Sequence, residues 1–401
     1  MSSVNERIQA DMQFLEAVKR RFSGTEGERE MLHAVRTRLA NPEDACVEGF
    51  VSPVRPEGVL GIHVGLLFVF GLLGFWWPVW GCVGTSLVTL SLLSETTGRF
   101  STCRWLMKKV ASYNLVIKQQ GSVSVGAVVV TTPLDVPGWR PIQAGWLKLT
   151  KRPLQWVFGS AIVLTALMLL RSLGEPLGPR TRDLHLVALV ILALTVLIGV
   201  IAYRRDGAGE DSGAGAALLL EITRRLKEKP LPDGVDFWAA FLGCSYAFQG
   251  GMRHFLTLHK KTLTDPVLVI SVSDPDRTPL GALASEGPIV RQIHRPAGPA
   301  LVERLQWTGV QLPTRHHYGV SNAREALGLG YRSVALAGGD GDKGVDATAH
   351  AADIVEVLIR WYARDVVNVQ SDLPALRELT EELPSSPDAP PIQTKQHGNG
   401  E

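Results

Sequence analysis

Four long apolar runs, grouped in two pairs, constrain this chain more than any other feature. Residues 59–77 read VLGIHVGLLFVFGLLGFWW and residues 79–93 read VWGCVGTSLVTLSLL. Further on, 154–170 reads LQWVFGSAIVLTALMLL and 184–203 reads LHLVALVILALTVLIGVIAY. A spanning helix takes roughly 20 apolar residues. Pro78 separates the first two runs, and Trp76, Trp77 and Trp80 suit a membrane–water boundary. Gly174, Pro176, Gly178 and Pro179 break the second pair into two helices. The runs predict four transmembrane helices in two hairpins, over 58–95 and 153–203. A buried core hairpin is the competing reading. A cleaved signal peptide is not expected, because no apolar stretch lies near the N-terminus.

The remainder reads as one soluble unit cut into three pieces, 1–56, 97–152 and 204–372, with a disordered tail over 375–401 rich in Pro, Ser, Glu and Gln. A hairpin crosses twice, so every piece stays on one side of the bilayer. Lys and Arg decide which side. Arg55, Arg99, Arg104, Lys108, Lys109, Lys148, Lys151, Arg152, Arg204 and Arg205 flank the runs on the domain side. The far side has only Arg171, Arg180 and Arg182. The positive-inside rule then predicts a multi-pass protein of the inner or plasma membrane with a cytoplasmic domain. The bilayer is the first expected partner. A net charge of +2 gives no reason to expect nucleic acid. Four scattered cysteines (46, 82, 103, 244) form no C-x-x-C pair, so neither a disulfide framework nor a Cys-based zinc site is expected.

Within the soluble pieces, Ile8, Met12, Leu15 and Val18 recur at helical spacing. A second helix follows RRFSGTEGE, with Ser23 or Thr25 as its cap and Met31, Val35 and Leu39 on one face. SYNLVIKQQG and VSVGAVVVTTPLDVP read as two strands joined by a polar turn. DSGAGAALLLE (211–221) reads as a helix start capped by Asp211 or Ser212, and FWAAFLGC as a buried strand. PVLVISVSD (266–274) and YRSVALAGGD (331–340) are further strands, and ATAHAADIVEVLIRWYARDVV is an amphipathic helix. Alternating helices and apolar strands predict an α/β domain with a mainly parallel sheet between helices.

DSGAGAALLLE followed by FLGCSYAFQGGMRHFL resembles the core of the di-zinc aminopeptidases of metallopeptidase family 28. The R-x-x-G-T-x-G-E opening at Arg21–Glu28 and the strand ending P-L-D-V-P are similar to the same family. The resemblance implies an aminopeptidase-like fold and a position-by-position test of its zinc site. Asp211 falls on the metal-bridging Asp, and Asp135 on the Asp that orients a zinc-binding His. Pro133 stands where that His belongs. Ser245 and Tyr246 stand where the family has its catalytic Glu and an adjacent zinc-binding Glu. Asp274 or Asp276 is placed for the next zinc carboxylate, and His350 is the one imidazole near the last ligand position, too far along the chain.

Proline has no donor atom, and neutral Ser and Tyr are poor zinc ligands. The resemblance therefore implies a pseudo-peptidase, a binding or scaffolding module with no cofactor and with a protein or peptide as the ligand of its vestigial cleft. Two other functions stay open: a zinc-dependent aminopeptidase or other hydrolase with an altered ligand set, and a subunit of a membrane assembly or transporter. Against the last, the apolar runs hold almost no ionisable residues, with His63 and His185 near their ends. His254 and His259 do not share a helix face and read as polar residues after the strand. His316 and His317 read as a loop pair, and GGDGDKG (338–344) as a turn without the G-K-[ST] of a phosphate loop. No nucleophile-elbow pattern surrounds Ser245.

Overall fold

The computed structural model describes residues 3–53, 56–97, 103–121, 124–136, 140–141, 153–173, 179–204, 213–287, 292–293, 303, 312–317, 321–339 and 341–381. Asp211 and Ser212 therefore lie outside the described residues, as do Arg55, Arg99, Lys148, Lys151, Arg152 and Arg205.

A nine-stranded sheet forms the centre of the soluble part. Its strands are β1 (Ala45–Pro53), β2 (Lys109–Gln119), β3 (Gly126–Pro133), β6 (Val235–Leu242), β7 (Val267–Ser273), β8 (Gly281–Glu286), β9 (Gln292–Ile293), β10 (Thr314–His317) and β11 (Arg332–Ala337). The order is β1-β2-β6-β3-β7-β11-β8-β10, with β9 paired to β8. The central run β6-β3-β7-β11 is parallel. β2 joins both of its neighbours antiparallel, as β11 does with β8. The sheet is thus mixed rather than mainly parallel. The parallel centre is where the apolar runs are continuous: β3 and β6 are buried along almost their full length, as strands covered on both faces are. The two strands of 109–133 are not neighbours, because β6 lies between them.

Strand alternation sends the two faces into two cores. Val128, Val130, Phe237, Ala239 and Ile270 meet α1 (Val4–Glu16), α2 (Glu26–Arg38), α7 (Ala214–Glu228) and the long C-terminal helix Val345–Glu381. Val129, Trp238, Ala240 and Val269 meet α8 (Gly250–His259) and the helix Asn322–Gly328. α1 opens on a capping box, with Ser3 Oγ accepting from Glu6 N–H and the Glu6 carboxylate accepting from Ser3 N–H. It is clamped to α7 by ion pairs: Arg7 to Glu221 at 2.5 Å and Arg224 to Asp11 at 2.6 Å. The C-terminal helix continues through Pro374 to Glu381, so the first seven residues of the expected disordered tail, 375–381, are helical. Leu373, Leu376 and Leu379 keep a helical spacing there that composition alone undervalues. Residues 382–401 lie outside the described residues.

The four apolar runs form α3 (Pro56–Trp76), α4 (Pro78–Thr97), α5 (Pro153–Ser172) and α6 (Pro179–Ala202). They pack around Leu67, Val88, Leu164, Met168, Leu189 and Leu192. At the α3–α4 turn the backbones touch: a Cβ on Gly81 would lie 2.3 Å from the Cα of Gly74. His185 Nε2 bonds the Gly71 carbonyl at 2.8 Å, and Arg171 donates to the carbonyls of Gly74 and Phe75 at the end of α3. Outward positions are also apolar, Val69 at 58% exposure, Leu87 at 62% and Val190 at 55% among them.

The expectation of four spans needs correction in one respect. Among the described residues, one helix, Gly58–Trp76, is by itself long and apolar enough to cross a membrane, and the apolar stretch Val157–Ser172 is shorter. α4 carries Thr85, Ser86, Thr89, Ser91 and Glu95, and α6 opens on Arg180, Arg182 and Asp183, which dilute their hydropathy.

Each hairpin is bounded by paired antiparallel strands, the first within the large sheet and the second in a separate two-stranded sheet. Pro53, at the exit into α3, opposes Lys109, which follows the return from α4. Arg140 and Pro141 of β4 oppose Arg204 and Tyr203 of β5 across the second excursion.

Candidate functional site

β6 and β7 flank β3 on opposite sides, so the strand order reverses at β3. Crevices outside the carboxyl ends of strands at such a point are the usual ligand sites of open α/β sheets. A small cavity lies there. Thr132 and Pro133 line it from the end of β3, Gly213–Ala216 from the start of α7, Tyr246 from the loop after β6, and Asp274–Asp276 from the end of β7. Arg21 and Met31 close it from the N-terminal segment.

The local geometry follows from small residues. Gly213, not Asp211 or Ser212, is the residue before α7, and its φ of 68° is left-handed. A Cβ there would lie 2.8 Å from Leu15 Cβ. Gly215 lets α7 approach β3, since a Cβ would lie 2.3 Å from Thr132 Oγ1. Asp274 takes a positive φ of 47°, a strained conformation for a non-glycine residue, which turns the chain as it leaves β7. The sequence-predicted positions Pro133, Tyr246 and Asp274 thus come together around one cavity, with Asp276 beside them.

Asp135 goes elsewhere. It is fully buried, and its carboxylate accepts from Ser245 N–H at 2.9 Å, Tyr246 N–H at 3.1 Å and Ser23 Oγ–H at 2.5 Å. Asp135, which the resemblance implied would orient a histidine, holds the backbone of the loop after β6.

A second buried carboxylate, Glu28 of α2, holds the same loop. It accepts from Cys244 N–H at 3.3 Å, Gly24 N–H at 2.7 Å and the Ser112 hydroxyl. Burial and the nearby Glu28 charge push Asp135 up to about 7. Burial likewise raises Glu28, despite its hydrogen bonds. Burial, then the Glu28 and Asp135 charges, push the Cys244 thiol up, so it is no thiolate nucleophile. The loop they clamp is strained, with positive φ at Cys244, Phe248 and Gln249.

Sequence reasoning placed Glu28 only near a helix start and gave Ser112 no role. The signal was the R-x-x-G-T-x-G-E opening, in which Ser23 reaches Asp135, Glu28 reaches this loop and Arg21 reaches the cavity.

Among the described residues, no histidine lines the cavity. His350 is exposed on the C-terminal helix. His254 and His259 belong to α8. His254 stacks on Phe50, and His259 Nε2 meets Glu48 Oε1 at 2.5 Å. His316 and His317 are not a loop pair but lie in β10, with His316 Nδ1 2.8 Å from Ser285 Oγ. Ser245 Oγ–H donates to the Leu242 carbonyl at 3.0 Å, as a strand-end hydroxyl without a base does. Among the described residues, no group of three or more His, Cys, Asp or Glu is placed to hold a metal ion.

No protein-family model matches the chain, and no curated protein matches it by sequence. Solved structures are similar at low identity. An Acidobacteriales bacterium glutaminyl cyclase aligns at 12% identity and a TM-score of 0.49, over 90% of this chain and 94% of that one. An aminopeptidase from Aneurinibacillus sp. strain AM-1 aligns at 10% and 0.47, over 88% and 93%. A zinc aminopeptidase from Bacillus subtilis aligns at 9% and 0.48, over 88% and 94%.

Proposed function

We propose that this chain is a membrane-held pseudo-peptidase, a binding or scaffolding module without metallopeptidase chemistry. The observation that carries the reading is the donor set of the cavity. Pro133 and Tyr246 occupy it, carboxylates come from Asp274 and Asp276, Arg21 brings a fixed positive charge, and among the described residues no imidazole lines it. Adding Asp211 would supply another carboxylate but still no histidine. A co-catalytic zinc pair needs a fuller set of deprotonated ligands and a base for its water. The residues present do not fit that group. The two buried carboxylates nearest the loop, Asp135 and Glu28, are engaged by backbone and hydroxyl donors. We infer that a protein or peptide end is the ligand of this strand-end site, which presents Arg21 beside Asp274 and Asp276.

The membrane part of the reading rests on α3–α6. These helices are apolar on both inward and outward faces, a pattern suited to lipid rather than water around the bundle. Both excursions return to paired strands, which keeps the domain on one side. Lys108, Lys109, Arg140 and Arg204 lie at that side, whereas Arg171 and Arg182 at the other are drawn onto Phe75. The domain is accordingly assigned to the cytoplasm.

The test is metal content of the detergent-purified protein by elemental mass spectrometry, beside hydrolysis of amino-acid amides. The expected result is no stoichiometric zinc and no chelator-sensitive turnover. Stoichiometric zinc that disappears in Asp211→Ala or Asp274→Ala, together with chelator-sensitive turnover, overturns the reading in favour of a zinc hydrolase with an altered ligand set.

A further inference from the structure

After α4 the chain makes one turn of 3-10 helix, Arg104–Leu106. Its second and third residues face outward although both are large and apolar, Trp105 at 70% exposure and Leu106 at 52%. Lys108 and Lys109 follow, both exposed.

The turn is held from two directions. Glu95 of α4 accepts from Cys103 N–H at 2.9 Å and from Arg104 Nε at 2.7 Å, in a pair almost wholly buried. The other side of the Arg104 guanidinium lies over the Phe248 ring, 4.4 Å from its centroid. Phe248 belongs to the strained loop that also carries Tyr246. One buried arginine therefore fixes this turn to the apolar bundle and to the domain at once.

Its level along the bundle follows from strand register. Lys109 opposes Pro53, three residues before α3 begins. The turn thus lies where the first hairpin meets the domain, and α4, which precedes it in the chain, carries outward apolar residues at Leu87 and Leu90, both 62% exposed. An exposed tryptophan and leucine beside two lysines, at the polar end of an apolar belt, combine the two chemistries of a headgroup layer: an amphipathic ring for the interface and positive charge for anionic lipid.

We propose that the Arg104–Lys109 turn is a lipid-docking foot. Trp105 and Leu106 enter the boundary between headgroups and acyl chains, and Lys108 and Lys109 take anionic lipid phosphates. The foot fixes the height of the domain above the bilayer, and it rests on the membrane reading given above.

The test uses the full chain reconstituted into phosphatidylcholine vesicles with or without phosphatidylglycerol. Tryptophan fluorescence is quenched by lipids brominated near the carbonyl end of the acyl chain or deep within it. Because the chain has 10 tryptophans, the difference between wild type and Trp105→Phe isolates the residue in question. The expected difference signal is quenched most by shallow bromines, and its quenching weakens without phosphatidylglycerol and in the Lys108→Gln/Lys109→Gln variant. A difference signal quenched by aqueous acrylamide but not by bromolipid, or by neither, overturns the foot. Quenching indifferent to both lipid charge and the lysines overturns the headgroup assignment. Alkaline carbonate extraction separates the two readings. Release of the wild type into the supernatant defeats the membrane reading itself, whereas retention in the pellet with an unquenched Trp105 defeats only the foot.

Discussion

Asp135 and Glu28 place two carboxylates in the same dry region, and both use the backbone of one loop as a partner. Their burial has a measurable consequence in pH. Asp135 is pushed from an ordinary value of 3.8 up to about 7. The folded state therefore binds a proton that the unfolded chain releases, and stability falls as pH rises through that window. The thermal midpoint of the wild type is expected to decline from about pH 4 to pH 7, and Asp135→Asn to flatten that decline. Circular-dichroism melts across the range check it, and parallel slopes in the two proteins refute the assignment. Glu28→Ala is a different perturbation, because it strands Gly24 N–H, Cys244 N–H and the Ser112 hydroxyl. Its expected cost is on the order of 3 kcal/mol by denaturant titration. The opening that carries Glu28 and the position of Asp135 could be singled out in the sequence, but their meeting at one loop could not. Glu28 and Ser112 are 84 residues apart and Glu28 and Cys244 are 216 apart, so no local pattern announces that they meet.

At the scale of elements, the start of α7 is the most exacting joint. Gly213 combines a left-handed φ of 68° with close approach to Leu15 of α1. Gly213→Ala meets both obstacles and is expected to destabilise the domain by about 1–3 kcal/mol, readable as a lowered denaturation midpoint. The helix start at 211–221 was legible in the sequence, although its cap was expected one or two residues earlier than Gly213. The buried strands were legible for a plain reason: Val128–Val130 and Phe237–Leu242 are apolar without alternation, which only a doubly covered strand tolerates. Pairing was less legible. β2 looked like a partner of β3, but β6, more than 100 residues later, inserts between them. The site was half legible. The resemblance pointed to Pro133, Tyr246 and Asp274, which do line one cavity, whereas the arrival of Arg21 there and the bond from Ser23 to Asp135 depend on how the N-terminal segment folds back to bridge Phe22 with Val136.

For the whole molecule, the assignment of the domain to the cytoplasm predicts that a reporter fused after Glu401 is active only if it folds in the cytoplasm. A periplasmic-type reporter active at the same position reverses the orientation. The pairing at the base of each excursion carries a further meaning. Residues facing each other across an antiparallel pair lie only about 5 Å apart, so Pro53 and Lys109 already stand where a tight turn would place them. The same holds for Pro141 and Tyr203. From the sheet's side, the first apolar hairpin is an overgrown turn, a handle added where two residues would have closed the loop, and the second closes in the same way on its own two-stranded ladder. Cutting both handles back to Asn-Gly turns is expected to release a water-soluble domain that melts cooperatively without detergent; aggregation of that variant would mean that the bundle is part of the domain's own core. On the membrane reading proposed above, attachment to a bilayer is a detachable property, graftable wherever two chain ends already meet across an antiparallel pair.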